Sequence, residues 1–419
     1  MIRRQIFPNG LTLLGESMPH VRSVTLGVWL KRGSRHEAAA VNGISHLLEH
    51  MVFKGTETRS ARDIALAVES IGGQMDAFTS KEYTCFYLKV LDRHLEDALE
   101  ILADIVRRPR FDPEELERER RVILEEIRMV EDTPDELVYD LFAEHVHPGN
   151  PLGRPIQGTA VSVEGIGRET LARFFRASYR PENMILAAAG SLKHDRLRQL
   201  AERHFGSMER SRAGLRRMRR PRWVGGLVKR AKPLEQVHVV LGVPAYPRDL
   251  EHRFPVAVLN ALLGGMMSSR LFQKIREERG LAYAVYSGVQ SFLDSGYLTV
   301  YAGSSPEQAE EVVRLTVEEL RQLRRDGPSE DEVTNAKENL KGSLMLSLES
   351  TSSRMTNLAQ HEIYYARPFE LREILDGIER VSRERVHAVC GELFGRAVPA
   401  LAVVGKVGRF RATAAAIVP

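Results

Sequence analysis

Residues Gly43 to Phe53 read GISHLLEHMVF, two histidines and a glutamate set among apolar residues. At about 100° per residue, His46, Glu49 and His50 stand three and four apart on one side of a helix. Both imidazoles then reach a single point with the carboxylate beside it, which suits a metal-bound water with a neighbouring base. A lone histidine on such a face is ordinarily a hydrogen-bonded core residue. The spacing therefore needs a third ligand before it outweighs that plainer reading.

Catalytic zinc takes three protein ligands and a water, and two histidines with a glutamate form one of its standard sets. The third ligand is sought in DPEELERERRVILEEIRMVED, which begins at Asp112. Asp112 reads as an N-cap, Pro113 as the first helical residue and Glu115 as a capping-box partner, predicting a helix from about Pro113 to Val130. Its apolar stripe is Leu116, Ile123, Ile127 and Val130. Glu126 falls about 60° from Ile123, on the inward side, whereas Glu125 falls about 160° away and faces solvent. Glu119 lies within about 20° of the Glu126 line. Unpaired inward carboxylates are costly, and a metal would explain Glu126 while a hydrogen bond to a metal ligand would explain Glu119.

Outside this pair of helices the chain is ordinary. Its 419 residues suit two domains, and 43% hydrophobic with 28% charged residues is usual for a globular protein. A net charge of +4 gives no global field for nucleic acid. The basic run RSRAGLRRMRRPRWVGGLVKRAK, Arg210 to Lys232, reads as a solvated linker rather than a nucleic-acid arm. Cys85 and Cys390 are far apart without CxxC spacing, so they are expected to be buried, reduced thiols. MIRRQIFPNG reaches Pro8-Asn9-Gly10 before any apolar run, a hairpin signal rather than a leader. No run approaches the roughly 18 apolar residues of a membrane span, and a cytoplasmic location is the expectation. His145 and His147, in HVHPGN, are expected on a surface loop, and ESTSSR, Glu349 to Arg354, in a helix or its cap.

The two halves echo each other. LTLLGES and VTLGVWLKRG are strand-like and precede GISHLLEHMVF; after the linker VHVVLGV is strand-like and precedes FPVAVLNALLGGMM. GGQMDAFTSKEYTCFYLKV corresponds to GLAYAVYSGVQSFLDSGYLTVYAG, and each leads into two helices, the second with an acidic start. The pattern is an internal duplication of about 200 residues, each copy mixing strands with helices packed on one face. The boundaries expected are a metal-binding domain 1–209, a linker 210–232 and a homologous domain 233–419. From Phe254 to Met267 the second copy has neither histidine nor glutamate, so the helix can be built without them.

HLLEH followed by Glu126 in ERERRVILEEI resembles the inverted zincins of the pitrilysin/insulinase superfamily. GGQMDAFTSKEYT, NPLGRPIQG and SSRLFQKIREERGLAYAVYS are similar to its branch containing the mitochondrial processing peptidase and its bacterial relatives, and the resemblance spans nearly the whole chain. It implies an α+β fold of two homologous domains, each an antiparallel sheet with helices on one face, which close into a chamber. It further implies one zinc per chain held by His46, His50 and Glu126, Glu49 as general base and catalytic residue, and Glu119 as a supporting residue. The superfamily's Arg and Tyr, seven residues apart, fall on Arg276 and Tyr283, expected to touch the substrate backbone and the developing oxyanion. Asp76 departs from the usual asparagine. Ala77, Phe78 and Thr79 read as an edge strand able to hold an extended peptide by main-chain hydrogen bonds.

The function expected is zinc-dependent endopeptidase action on unstructured or targeting-type peptides. A homodimer is expected, with Arg276 and Tyr283 donated in trans to a composite site. The rival is a non-catalytic structural or partner subunit of the same fold, which would have lost metal ligands that this chain retains.

Overall fold

Alternating apolar segments in both halves assemble into two sheets. The computed structural model describes residues 2–210, 218–395 and 398–411. In chain order the strands are β1 (Ile2–Ile6), β2 (Thr12–Ser17), β3 (Ser23–Leu30), β4 (Gln74–Thr79), β5 (Thr84–Leu91) and β6 (Met184–Gly190). They are followed by β7 (Gly226–Ala231), β8 (Val237–Ala245), β9 (Ala282–Ser291), β10 (Gly296–Ser304) and β11 (Ala400–Gly405). The first sheet has the order β1-β2-β6-β3-β5-β4 and the second β7-β11-β8-β10-β9. Without β1 the two orders match strand for strand, which is what a duplicated unit requires. Each sheet also carries one parallel pair, β2 with β6 and β7 with β11, beside the antiparallel pairs that were expected throughout.

Five helices matter to the site and its frame: α1 (Ile44–Met51), α2 (Ala61–Ser70), α3 (Leu95–Arg107), α4 (Pro113–Glu131) and α5 (Pro134–Val146). Helix α1 is too short to be stable alone, so its form depends on packing. Ile44, Leu47, Leu48 and Met51 are all fully buried, each worth about 1.5–3 kcal/mol. They join Phe86 and Leu88 of β5, Leu99 and Leu102 of α3, and Ile123 of α4 in one core. At the start of α4, Asp112 Oδ1 accepts the N–H groups of Glu114 and Glu115, while the Glu115 carboxylate pairs with Arg118.

The chain divides into two units whose boundaries differ from the contiguous ones expected. One comprises Met1–Arg128, Pro155–Met218 and Leu346–Glu370; the other comprises Met129–Arg154, Arg219–Met345 and Leu371–Pro419. Each copy thus contributes a helix to the unit built on the other copy's sheet. Helices consequently do not lie on one face only. In the first unit the helix Thr351–Tyr365 packs on β2, β3 and β6, where Met355, Leu358 and Ala359 meet Trp29, Cys85 and Ala187. In the second, α5 packs on β8 and β11, where Phe142 and Val146 meet Val240 and Ala402.

A glycine on each central strand admits the exchanged helix: a Cβ on Gly27 would lie 2.9 Å from Met355 Sδ, and one on Gly242 2.4 Å from Phe142 Cζ. Covered on both faces, β6 and β11 are buried along their whole length, which explains their unbroken apolar runs MILAAAG and ALAVVG.

Of the expected linker, residues 211–217 lie outside the described residues, and Gly226–Ala231 is strand β7, so the second sheet begins before the boundary placed at 233. His147 is buried, its Nδ1 bonded to the Arg222 carbonyl and its ring near Trp223 and Tyr297. It belongs to the second unit's core rather than to a surface loop. Ser350 caps the helix Thr351–Tyr365, its hydroxyl accepting from the Ser353 N–H. Cys85 and Cys390 are free and buried. Among the described residues, no helix is long and apolar enough to cross a membrane.

Candidate active site

The four apolar residues of α1 turn His46, Glu49 and His50 to its half-buried side. Leu116 and Ile123 anchor α4 in the same core, and that anchoring aims Glu119 and Glu126 towards α1. Glu126 Oε2 stands 3.6 Å from His46 Nε2, and Glu126 Oε1 3.8 Å from His50 Nε2. Taking one ligand atom from each of the three residues, all lie within 4.8 Å of one another. Ligand atoms about 2.0–2.2 Å from a tetrahedral zinc are separated by about 3.4 Å, so these groups fit a zinc ion with small adjustments. They are the one such group among the described residues. Glu125 is 70% exposed and pairs with Arg128, as its place on the helical wheel predicts.

Glu119 is buried and accepts from His50 Nδ1 at 3.0 Å and from Lys54 Nζ at 2.8 Å. Orientation of one ring nitrogen by a carboxylate leaves the other free for a metal. Lys54 lies in the turn that follows α1, so no helical spacing in the sequence marks it as a partner of Glu119. Glu49 Oε2 accepts a short hydrogen bond from the Thr79 hydroxyl. Thr79 closes β4, which among the described residues pairs with β5 alone and so forms the edge of its sheet. Ala77 packs on the α1 side of that sheet, whereas Phe78 packs on the opposite side against Trp29. The Asp76 carboxylate accepts from the Ala77 N–H at 2.8 Å and from the Tyr87 hydroxyl at 3.1 Å.

Electrostatics differ across these groups. Burial, with the nearby His50 adding to it, pushes His46 down to about 4 and keeps its ring neutral. Burial also opposes the His50 cation, but the hydrogen bond to Glu119 and the charges of Glu126, Glu119 and Glu49 prevail and raise it. Burial pushes the Glu49 carboxyl up, against the Thr79 bond. For Glu119, burial is outweighed by the bonds from His50 and Lys54, which hold it below the usual range. An upward-shifted Glu49 beside the neutral His46 ring suits a base that takes a proton and returns it. Beside Glu49 and His50 opens a cavity of about 450 Å³, its apolar wall formed by Phe53, Ile64, Met75 and Ala77.

Arg276 and Tyr283 belong to the second unit. The Arg276 guanidinium lies 4.8 Å from the Tyr283 ring centre and 4.7 Å from that of Phe272, and Tyr283 is 78% exposed. The pair therefore presents a cationic and a phenolic donor together on that unit's surface.

Comparison with known proteins agrees with this architecture. Residues 12–160 match the model described as insulinase (peptidase family M16), and residues 165–340 that described as the peptidase M16 inactive domain. YmxG of Bacillus subtilis is 43% identical over 394 residues, covering 94% of this chain and 96% of that one. A Mycobacterium tuberculosis protein is 43% identical over 413 residues, covering 98% and 94%. Both are described as uncharacterized zinc proteases. A protease from Helicobacter pylori has a structure similar to this one with a TM-score of 0.91 at 22% identity, over 97% of this chain and 99% of that chain. A peptidase M16 inactive domain from Pseudomonas fluorescens superposes at 0.90 and 22% identity, over 96% and 98%. With its HLLEH helix, its inward glutamate and relatives 43% identical over almost their full length, the chain belongs to the insulinase family, peptidase family M16.

Proposed function

We propose that the chain is a zinc-dependent endopeptidase that hydrolyses extended, unstructured peptides, including targeting-type segments, one zinc being held by His46, His50 and Glu126. The observation that carries this reading is the convergence of those three side chains beside Glu49, itself bonded to the end of an edge strand. Zinc, when bound, supplies Lewis acidity that acidifies water to a pKa of about 7 and polarises a carbonyl. Glu49 accepts the proton and delivers it to the leaving amine, a role suited to its raised pKa. β4, through Ala77, Phe78 and Thr79, holds the peptide by main-chain bonds and so reads little sequence. The cavity beside Glu49 receives an apolar side chain next to the scissile bond.

Arg276 and Tyr283 contact the substrate backbone and the developing oxyanion, donated in trans within a homodimer. The chain works in the cytoplasm on this reading. The description of residues 165–340 as an inactive domain supports a non-catalytic partner role as the alternative. All three ligands and the base lie instead within 12–160, which favours catalysis.

The test is zinc stoichiometry together with cleavage of a quenched peptide by wild type and Glu49→Gln. One zinc per chain and a loss of roughly 10²–10⁴-fold in kcat are expected. Bound zinc with equal cleavage by both proteins would sink the assignment. For the shared site, Glu49→Gln and Arg276→Ala proteins are co-assembled. Recovery of part of the activity is expected, and none, with subunit exchange confirmed, would place both halves of the site in one chain.

A further inference from the structure

Helix α1 starts without a cap of its own. Its N-cap is Gly43, at φ +94°, which has no side chain to accept the first amides. Glu37, six residues earlier and only 4% exposed, takes that place: its Oε2 accepts from the Gly43 N–H at 2.8 Å and its Oε1 from the Ser45 N–H at 2.9 Å. Asn42 Nδ2 donates to the same carboxylate at 2.9 Å and to the Pro155 carbonyl at 3.1 Å.

Behind this lies a backbone clasp. A Cβ on Gly43 would come within 2.4 Å of the Gln157 carbonyl, and one on Gly158, at φ +83°, within 2.4 Å of the Asn42 carbonyl. Ser162 Oγ closes it with a 2.8 Å bond to the Asn42 carbonyl. The end of the NPLGRPIQG segment is thereby joined to the start of α1. A buried carboxylate is costly unless hydrogen bonds satisfy it. This one is satisfied by the amides that open the helix, and it lies where the helix dipole favours negative charge.

We infer that Glu37 is a positioning residue for the metal site: by holding the first turn of α1 against the clasp, it fixes the rotation of the helix and so the convergence of His46 and His50 on Glu126. The inference rests on the zinc reading above, and it concerns a residue that touches neither metal nor substrate. His46 follows Ser45 directly, so a shift of the Ser45 amide moves the first ligand immediately. His50, one turn on, follows with it.

The experiment compares wild type with Glu37→Gln, which keeps size but puts an amide donor where two acceptors are needed, and with Glu37→Asp, which keeps charge but retracts it. Zinc affinity is read by competition with a chelating dye, site geometry by the visible spectrum of the cobalt-substituted protein, and folding of the metal-free protein by circular dichroism. Glu37→Gln is expected to remain folded at 25 °C, to bind zinc roughly 10–100-fold more weakly, to shift the cobalt spectrum, and to lose kcat with little change in KM. Glu37→Asp is expected to fall between the two. A folded Glu37→Gln protein with wild-type zinc affinity and cobalt spectrum overturns the inference and leaves the zinc reading standing. Loss of folding in both variants also overturns it, because Glu37 is then a residue of the fold at large. A wild-type chain that binds no zinc overturns the zinc reading and this role with it.

Discussion

Helix α1 and the segment from Arg253 to Gly265 occupy corresponding places beside two sheets whose strand orders match once β1 is set aside, yet only the first bears the candidate ligands. The second is α-helical over Arg253–Asn260, continues as a π-helical turn over Ala261–Gly265, and fills its inward side with Val256, Val258, Leu259 and Leu262. The comparison separates what the topology needs from what the chemistry needs. Both segments bury a set of aliphatic side chains and have a carboxylate on the N-cap amide, Glu37 on Gly43 and Asp249 on His252; within the helices themselves only α1 carries imidazoles and a carboxylate base.

The strongest attempt to erase this difference is His50→Ala. Zinc binding and peptide cleavage are expected to fall to background, while the metal-free protein unfolds within about 1 kcal/mol of wild type, since Glu119 keeps Lys54 as its partner. A large drop in metal-free stability would show that His50 also serves the fold. Next in size is the contrast on α4. Glu126→Gln is expected to weaken zinc binding at least as much as changing an outer partner would, by roughly 10–100-fold or more, whereas Glu125→Gln changes nothing measurable. Equal effects from the two would break the assignment of faces.

Thr79→Val tests the base. It removes the hydroxyl that holds Glu49, and kcat should fall roughly 10-fold, with Thr79→Ser restoring most of it. Unchanged kcat in Thr79→Val would leave Thr79 with no part in orienting the base. The smallest effect belongs to the ligand-free copy, where Arg270 grips Glu332 at 2.5 and 2.8 Å and the Ser329 N–H adds a third bond. Burial opposes ionisation there, but these bonds hold the Glu332 carboxyl below its usual range. A depressed folded pKa gives stability that is present above the unfolded value of about 4.3 and lost as pH falls through the folded one. Glu332→Gln should therefore cost about 1 kcal/mol at pH 7, with the gap in Tm narrowing towards pH 3; a gap that widens in acid would contradict the sign.

Much of this is legible in the sequence. The duplication, the HLLEH face and the choice of Glu126 over Glu125 follow from periodicity, because helical phase is a local property of the sequence. The exchanged helices were not readable: the faces of α5 and of Thr351–Tyr365 are plain enough, but no local pattern states which sheet will receive them. Gly27 and Gly242 were the faint signals, glycines inside strands that mark close approach. Glu37 and the Thr79–Glu49 bond escaped because each depends on a contact that has no period. His147 was misplaced because HVHPGN looks like turn sequence, while tertiary packing against Trp223 and Tyr297 buries it.

The exchange also sets a timetable. Protein synthesis runs from the N-terminus, and all six strands of the first sheet have emerged by Gly190. The outer side of that sheet, with Trp29 and Cys85, has no cover until Thr351–Tyr365 leaves the ribosome. During that interval the nascent chain carries an open apolar layer, the kind of surface on which chaperones act. Truncation anywhere between the two copies removes Thr351–Tyr365 and with it the chain's own cover for that layer. Two separately made halves can mature only by finding each other.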